Sequence, residues 1–519
     1  MNKRTEYLLL SSIIIIFIAL RIAFITQKNL WFDEIFSWHI IQGSFYEIIS
    51  KTTADIHPPL YYFALKIWDG IFGDSVFSMR FLSTIFSVLS IFFIYPISKR
   101  VLTPAFTIIL LLFFAINPLN IFYSQEVRMS AMNLFLNAGS VFFLLRLIDR
   151  KYVWLPDFRQ NDYYLYVLFR TAALYTHYFS FIIFIAEIIL VLITMFVPRL
   201  NQGLVNNQGK TENSNNNKFS LKKSAARLIP FGLSFGTVIL LYLPWLPTFI
   251  EHSSRGQTWR NTQTINMALH EVVNYLKDLN MGLYYHYTDL TLVSYITIFL
   301  IIVYSLSLIV FLFPRRRESN LDSQRQSLIP FIFVLVPVLI GIIISINQKF
   351  EFYRYLSIII PFVLMFVLYS ISLINKKFVI IPVLVLLMFI NIFGLSSQYS
   401  FNFKNDDYRE LIYNIENNFK QGDRIYIEPH YMGWSIDYYK KQWDLKLPNP
   451  VYIRYGWNEI LDSLNTQKPD RFWIVLDYSA VDTTKYVEYI NGLKEENKIE
   501  ERLTYYLAPS KVELYRFGR

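Results

Sequence analysis

Five short segments hold the residue types that could do chemistry. Trp31-Phe32-Asp33-Glu34 sets two adjacent acids directly after an apolar run. Alone, such a pair reads as a solvated helix end, because carboxylates are stabilised at a helix N-terminus. It gains weight from His57-Pro58-Pro59-Leu60-Tyr61-Tyr62, where two prolines forbid a regular helix and fix the backbone beside an imidazole. An acid pair, a histidine and two tyrosines on one membrane surface would form a catalytic mouth. A carboxylate there can take the proton of a hydroxyl nucleophile, a contribution of about 10²–10⁴-fold.

The third segment, Tyr123-Ser124-Gln125-Glu126-Val127-Arg128, follows the break at Asn117-Pro118 and puts Glu126 and Arg128 where the chain re-enters lipid. Ionisable side chains at membrane depth are functional hypotheses by default. Snorkelling to the interface is the plainer account of Arg128 and fits Glu126 less well. The fourth is Thr176-His177-Tyr178 and the fifth Lys349-Phe350-Glu351-Phe352-Tyr353-Arg354-Tyr355. Arg354 leads into an apolar helix, and its guanidinium could grip a phosphate in bidentate fashion. A topology arginine would occupy the same position without any ligand.

The elements that must position these segments are membrane helices. The chain is 54% hydrophobic and 17% charged, whereas a soluble protein of this length is about one-quarter charged. Aromatics at 18% suit a chain with many membrane–water interfaces. Cysteine is absent, which excludes disulfides and thiolate metal sites. Spans of roughly 20 apolar residues fall near 7–25, 80–97, 101–119, 130–148, 163–176, 178–197, 228–247, 291–313, 328–346, 355–374 and 378–396, about eleven in all. The first is too apolar and too long for a cleaved signal segment. The net charge of +10 sits mostly in short loops: Lys99 and Arg100, Arg146, Arg150 and Lys151, the 199–227 loop, Arg315 to Arg317, and Lys376 and Lys377. All fall on one side if the spans alternate, and that side should be cytoplasmic, as is the N-terminus. With no helix-turn-helix, zinc finger or basic arm, this charge does not indicate nucleic acid.

The loops bearing the five segments then face outward, and the first, 26–79, should contain short helices on the membrane surface. The stretch 201–217 reads as a low-complexity linker. From about 398 the composition changes. Strand-like runs (424–428, 472–476, 512–517) alternate with helix-like ones (407–419, 484–495), which predicts a small α/β domain. An odd span count places it outside the membrane; without the weakest span, 163–176 with Arg170, it would turn inside. The expected division is thus a transmembrane domain over 1–397 and a soluble extracytoplasmic α/β domain over 398–519. Tyr431, Trp434, Tyr438 and Tyr439 could stack on sugars, although a core and interface aromatic cluster is the more ordinary reading.

Convergence carries the functional argument. Acid, His and Arg clusters fall on one side at helix ends, while the opposite side carries simple basic loops. Polar groups at one surface suit chemistry on a carrier whose head group lies there and whose tail stays in lipid. A transporter or flippase of lipid-linked sugars would place its polar groups near the bilayer midplane on broken helices. A non-catalytic subunit of an envelope glycan assembly would not need to keep Asp33, Glu34 and His57.

Taken together, the first four segments, in this order and spacing, resemble the GT-C superfamily of membrane glycosyltransferases, close to its protein-O-mannosyltransferase-like and lipid A aminoarabinose transferase-like group. The resemblance is strong over about residues 1–200, looser through the later spans and weakest in the tail. It implies an inverting transfer of a sugar from a polyprenyl- or dolichyl-phosphate donor to a protein, glycolipid or polysaccharide acceptor at the outer membrane face. It implies Asp33 as catalytic base, with Glu34 positioning the acceptor or a metal. His57, Tyr61 and Tyr62 would shape the site beside the donor head group, and Glu126 and Arg128 would lie on the donor side. His177 becomes a metal or phosphate contact. Arg354 and Tyr355 resemble the pair that faces the carrier phosphate. A divalent ion (Mg2+, Mn2+ or Zn2+) is compatible with this, with Glu34 and His177 as its ligands.

Overall fold

The computed structural model describes residues 2–149, 161–196, 221–255, 264–283, 290–313, 321–347, 350–374, 376–400, 408–429, 432–445, 447, 451–452, 457–477, 490–493, 498–507 and 510–518. The chain opens with α1 (Lys3–Ile22), α2 (Phe32–Ile41), α3 (Phe45–Ala54), α4 (Leu60–Phe72) and α5 (Val76–Val101). There follow α6 (Pro104–Ile116), α7 (Pro118–Ser124), α8 (Ser130–Asp149), α9 (Asn161–Thr176) and α10 (Ser180–Phe196). Then come α11 (Leu221–Tyr242), α12 (Leu246–Ser254), α13 (Ile265–Met281), α14 (Leu290–Leu312), α15 (Leu321–Asn347), α16 (Phe352–Tyr355), α17 (Ile360–Ser372) and α18 (Lys377–Gln398). The tail forms α19 (Tyr408–Asn418), β1 (Arg424–Glu428), α20 (Gly433–Trp443), β2 (Val451–Tyr452), α21 (Trp457–Gln467), β3 (Arg471–Asp477), β4 (Lys498–Leu507) and β5 (Ser510–Gly518).

Each expected span overlaps helical segments, three of them broken: 101–119 covers α6 and the start of α7, 228–247 runs from α11 into α12, and 355–374 from the end of α16 into α17. Among the described residues, seven helices are long and apolar enough to cross a membrane, and α6 with α7 makes an eighth if the bent pair is one span. Ser180–Phe196 and Ser357–Ser372 are apolar but shorter, and α9 carries Asp162 and Arg170. The protein is thus a helical integral membrane protein with a small C-terminal sheet.

Two compact units emerge, and they do not simply follow the chain. The first comprises Met1–Ala23, Phe45–Leu65 and Arg80–Ser400; the second comprises Phe24–Ser44, Lys66–Met79 and Phe401–Arg519. Composition divides the sequence once, near 398, but the first loop is divided as well. Its helix α2 and the turn at Asp74 make their hydrogen bonds and ring contacts with α20 of the tail.

In the first unit, the break between α6 and α7 follows from local chemistry. Pro118 disfavours helical geometry at Asn117, and the Asn117 side chain instead caps α7 by accepting from the Asn120 N–H at 2.9 Å. The two helices bend by 57°. The buried Arg21 of α1 donates to the carbonyls of Ala115 and Phe114 at the end of α6, at 3.0 and 3.4 Å, satisfying groups that a helix C-terminus leaves open. The end of α13 docks nearby: Asn117 Nδ2 donates to the Leu279 carbonyl at 2.7 Å. A side chain at Gly394 of α18 would strike the Met281 backbone at 2.5 Å, so only glycine permits that approach.

The second unit holds a five-stranded mixed sheet in the order β2-β1-β3-β5-β4. Strand β1 is parallel to β2 and β3, whereas β5 is antiparallel to β3 and β4. Phe472, Ile474 and Leu476 alternate along β3 and bury one face against Ile460 and Leu464 of α21, the period-2 and i,i+4 patterns meeting in one core. The expected strands appear as β1, β3 and β5, and the expected helix at 407–419 as α19. The partner strand β4 was not expected. Of the expected helix over 484–495, only 490–493 lies among the described residues, and it is helical.

Candidate active site

In the first unit, the short loop between α3 and α4 brings His57 to Asp55, with Nδ1 at 2.8 Å from the carboxylate. On its other side, the Arg128 guanidinium donates to Nε2 at 3.4 Å. A guanidinium has no acceptor, so Nε2 accepts, Nδ1 carries the proton and donates it to Asp55. Burial alone would raise the Asp55 carboxyl, but its pairing with His57, the Ile56 backbone N–H and the Arg128 charge behind hold it below the usual carboxylate range.

Arg128 is buried in the loop between α7 and α8. Two side chains of α5 fix that loop: Ser83 donates to the Glu126 carbonyl at 2.6 Å and Thr84 to the Ser124 carbonyl at 3.0 Å. From the loop itself, Gln125 donates to the carbonyls of Arg21 and Ala23 at 2.9 and 2.8 Å. Such bonds are worth roughly 0.5–1.5 kcal/mol each, and together they leave the loop little freedom.

His177 sits in the turn between α9 and α10, its ring 6.1 Å from that of His57 and 6.1 Å from that of Tyr355. The Phe179 N–H donates to its Nδ1 at 3.2 Å, which places the proton on Nε2. Burial, followed by the neighbouring His57 and the charges of Arg128 and Arg354, holds its pKa well below the ordinary imidazole value. A buried lock fixes this hairpin. Arg170 of α9 donates through Nε and Nη2 to both oxygens of Glu187 of α10, at 2.9 and 2.6 Å. Ser140 and Tyr166 donate to the same carboxylate at 2.6 and 2.9 Å.

Arg354 enters from α16, paired with Glu351 at 3.4 Å. Tyr275 of α13 holds the segment by donating to the Leu356 carbonyl at 3.1 Å. Tyr355 is buried with its ring 4.1 Å from Phe179. The hydroxyl of Tyr123 is buried without a hydrogen-bond partner among the described residues, within electrostatic reach of Glu126, Arg354 and Glu351. Two guanidiniums and two imidazoles thus converge, with the Asp55 and Glu351 carboxylates paired to them and an unsatisfied hydroxyl beside them.

The comparisons with known proteins agree with this reading of the fold. Residues 56–203 match the model of the dolichyl-phosphate-mannose-protein mannosyltransferase family. The structure resembles ArnT from Cupriavidus metallidurans bound to undecaprenyl phosphate, with TM-score 0.55 and 11% identity, over 99% of this chain and 98% of that one. The oligosaccharyltransferase of Archaeoglobus fulgidus tethered to an acceptor peptide gives TM-score 0.50 and 11% identity, over 92% of this chain and 69% of that one. No curated protein matches the sequence. The chain shares the fold of ArnT.

Within this fold, the segment that matches the family model contains His57, Tyr61, Tyr62, Glu126, Arg128 and His177. The structure brings His57, Arg128, His177, Arg354 and Tyr355 into one cluster. Tyr61 and Tyr62 are buried at the start of α4 with their rings 5.7 Å apart, and Glu126 is buried in the Arg128 loop. Asp33 and Glu34 open α2 in the other unit. Glu34 is buried, its carboxylate accepting from the Trp31 backbone N–H at 3.3 Å, half of a capping box. Among the described residues, no group of three or more His, Asp or Glu side chains is arranged to hold a metal ion. Glu34 caps its own helix through one carboxylate oxygen, and His177 Nδ1 accepts from the Phe179 N–H.

Sequence reasoning missed Asp55, which lies two residues before His57 and could have been found from that proximity. It also missed His252 of α12. Trp245 donates to the Tyr178 hydroxyl at 3.0 Å, and Tyr178 pairs with His252 Nδ1 at 2.7 Å. His252 Nε2 then donates to the Thr53 carbonyl at 2.8 Å. Arg255 adds a bond to the Ala54 carbonyl at 2.8 Å. This network anchors the backbone that presents Asp55 and His57. Burial pushes the Tyr178 hydroxyl up to about 12, so it remains a donor across the physiological range.

Proposed function

We propose that this protein is an inverting glycosyltransferase that moves a sugar from a polyprenyl- or dolichyl-phosphate donor to an acceptor hydroxyl at the outer membrane face. The observation that carries the reading is the convergence of Arg128, Arg354, His57 and His177 around one spot. Such a set meets the charge that develops on a phosphate as the glycosidic bond breaks. The family-model match and the fold shared with ArnT support the same class. The orientation rests on the distribution of Lys and Arg among the loops.

In this reading, Asp33 removes the proton of the acceptor hydroxyl. The acceptor oxygen bonds to the anomeric carbon as the carbon–oxygen bond to phosphate breaks. That electron pair stays on the carrier phosphate, whose added charge Arg128 and Arg354 stabilise. One displacement inverts the anomeric centre, and no carboxylate acts as nucleophile, unlike in retaining hydrolases. His57, held by Asp55 and Arg128, orients the guanidinium.

A transporter would keep ionisable groups mobile near the midplane. The mid-helix pair Arg170–Glu187 is instead bidentate and enclosed by its own donors. Turnover of radiolabelled polyprenyl-phosphate mannose, glucose and related donors by purified protein tests the reading. Sugar transfer by the wild type that is lost in Asp33→Asn supports it; unimpaired transfer by Asp33→Asn removes the base.

A further inference from the structure

We infer that Asp74 is the residue through which the C-terminal domain positions the helix bearing Asp33 and Glu34. All the groups concerned lie in the second unit. Helix α2 has ten residues, too few to be stable alone, so its place is set by what it touches. Lys66 donates to the Ile41 carbonyl at its C-terminal end at 2.9 Å. His39 stacks on Trp434 of α20 with centroids 4.3 Å apart, and Trp38 meets Tyr438 edge-on at 5.2 Å.

Asp74 ties these elements together. It follows Gly73, whose φ of +75° ends α4, in the turn before α5. An aspartate in such a turn is usually solvated, but this side chain is only 13% exposed. Its Oδ2 accepts from Trp38 Nε1 of α2 at 2.7 Å and from Lys441 Nζ of α20 at 2.6 Å. Its Oδ1 accepts from Gln442 Nε2 at 2.9 Å, and its carbonyl accepts from the Tyr438 hydroxyl at 3.1 Å. One carboxylate therefore holds α2 and α20 at once. Burial works against its charge, yet the donors Lys441, Trp38 and Gln442 hold it below the usual carboxylate range. Asparagine cannot replace it: whichever way the amide points, an NH2 faces a donor.

The geometry gives Asp74 a positioning role, and its catalytic meaning rests on Asp33 serving as base. Hydrogen exchange of the full-length protein in detergent tests the positioning directly. In Asp74→Asn, amides of α2 should exchange about tenfold faster or more, while those of β1, β3 and β5 keep wild-type protection. Asp74→Glu should restore part of the protection, and Lys441→Met should give a smaller loss at α2. Turnover should fall through kcat, with the donor KM unchanged. Wild-type exchange at α2 in Asp74→Asn overturns the inference, as does acceleration spread evenly through the sheet. The exchange result stands even where wild-type protein shows no turnover, an outcome that would count against the transferase reading alone.

Discussion

Arg128 and His57 meet at 3.4 Å, a guanidinium N–H against imidazole Nε2, and Asp55 holds the opposite nitrogen at 2.8 Å. The arginine sets the tautomer of the histidine, and the histidine limits where the guanidinium can point. Each of the three groups comes from a backbone fixed by other elements: the Arg128 loop by Ser83 and Thr84, the Asp55–His57 loop by His252 and Arg255.

That arrangement needs the planar fork of an arginine, so Arg128→Lys should not be conservative. A lysine at this position cannot serve a phosphate and His57 together with fixed geometry. Transfer measured in a single turnover should fall about 10²-fold or more, the size of loss seen when one preorganised charge-stabilising donor is removed. Folded yield should match wild type.

His177 predicts a pH dependence of stability. Its pKa in the folded protein lies well below the ordinary value, which is about 6.5 in an unfolded chain. Below that pH the unfolded chain binds a proton that the folded protein refuses, so acidification favours unfolding, by up to about 1.4 kcal/mol per pH unit. Thermal midpoints in detergent between pH 7 and pH 5 should therefore fall more steeply for wild type than for His177→Asn. Parallel curves would remove this titration from the account.

The Arg170–Glu187 lock predicts an asymmetry. Glu187→Ala leaves a buried guanidinium without its carboxylate and should cost about 3–5 kcal/mol, whereas Arg170→Met with Glu187→Leu should recover part of that loss, short of wild type because the Ser140 and Tyr166 hydroxyls lose their acceptor. Denaturant or thermal midpoints of the three proteins decide it. The same hairpin presents His177, so the single variant should also lose transfer.

Much of this was legible in the sequence because it is local. Apolar length and loop charge marked the helices, and Asn117-Pro118 marked the break between α6 and α7. The motif segments contain His57, Arg128 and His177, which the structure gathers together. What was not legible is what distant residues supply. His252 reaches Thr53 across 199 positions, and Asp74 meets Lys441 across 367, so no window of sequence contains either pair. Strand β4 escaped notice because Lys498–Leu507 is rich in charge and finds its order only by pairing with β5. Glu187 did carry a signal, an acid inside the apolar run Ser180–Phe196. The tyrosines of α20 belong to packing: Tyr438 and Tyr439 are buried, and Tyr431 lies outside the described residues.

The donor set also predicts the effect of chelation. With Glu34 capping α2 and no cluster of three or more His, Asp or Glu side chains among the described residues, transfer should survive EDTA at wild-type rate. Loss of activity that Mg2+, Mn2+ or Zn2+ restores would assign charge stabilisation to a bound ion instead of to the arginines alone.

Binding of a polyprenyl phosphate without sugar, measured on the purified protein in detergent or nanodiscs, tests the central claim most directly. The account predicts that Arg128→Ala and Arg354→Ala each weaken binding by about 30-fold, as expected for truncating one partner of a desolvated charge pair, while Asp33→Asn binds like wild type. Wild-type affinity in both arginine variants would contradict it, because the carrier phosphate would then be held elsewhere.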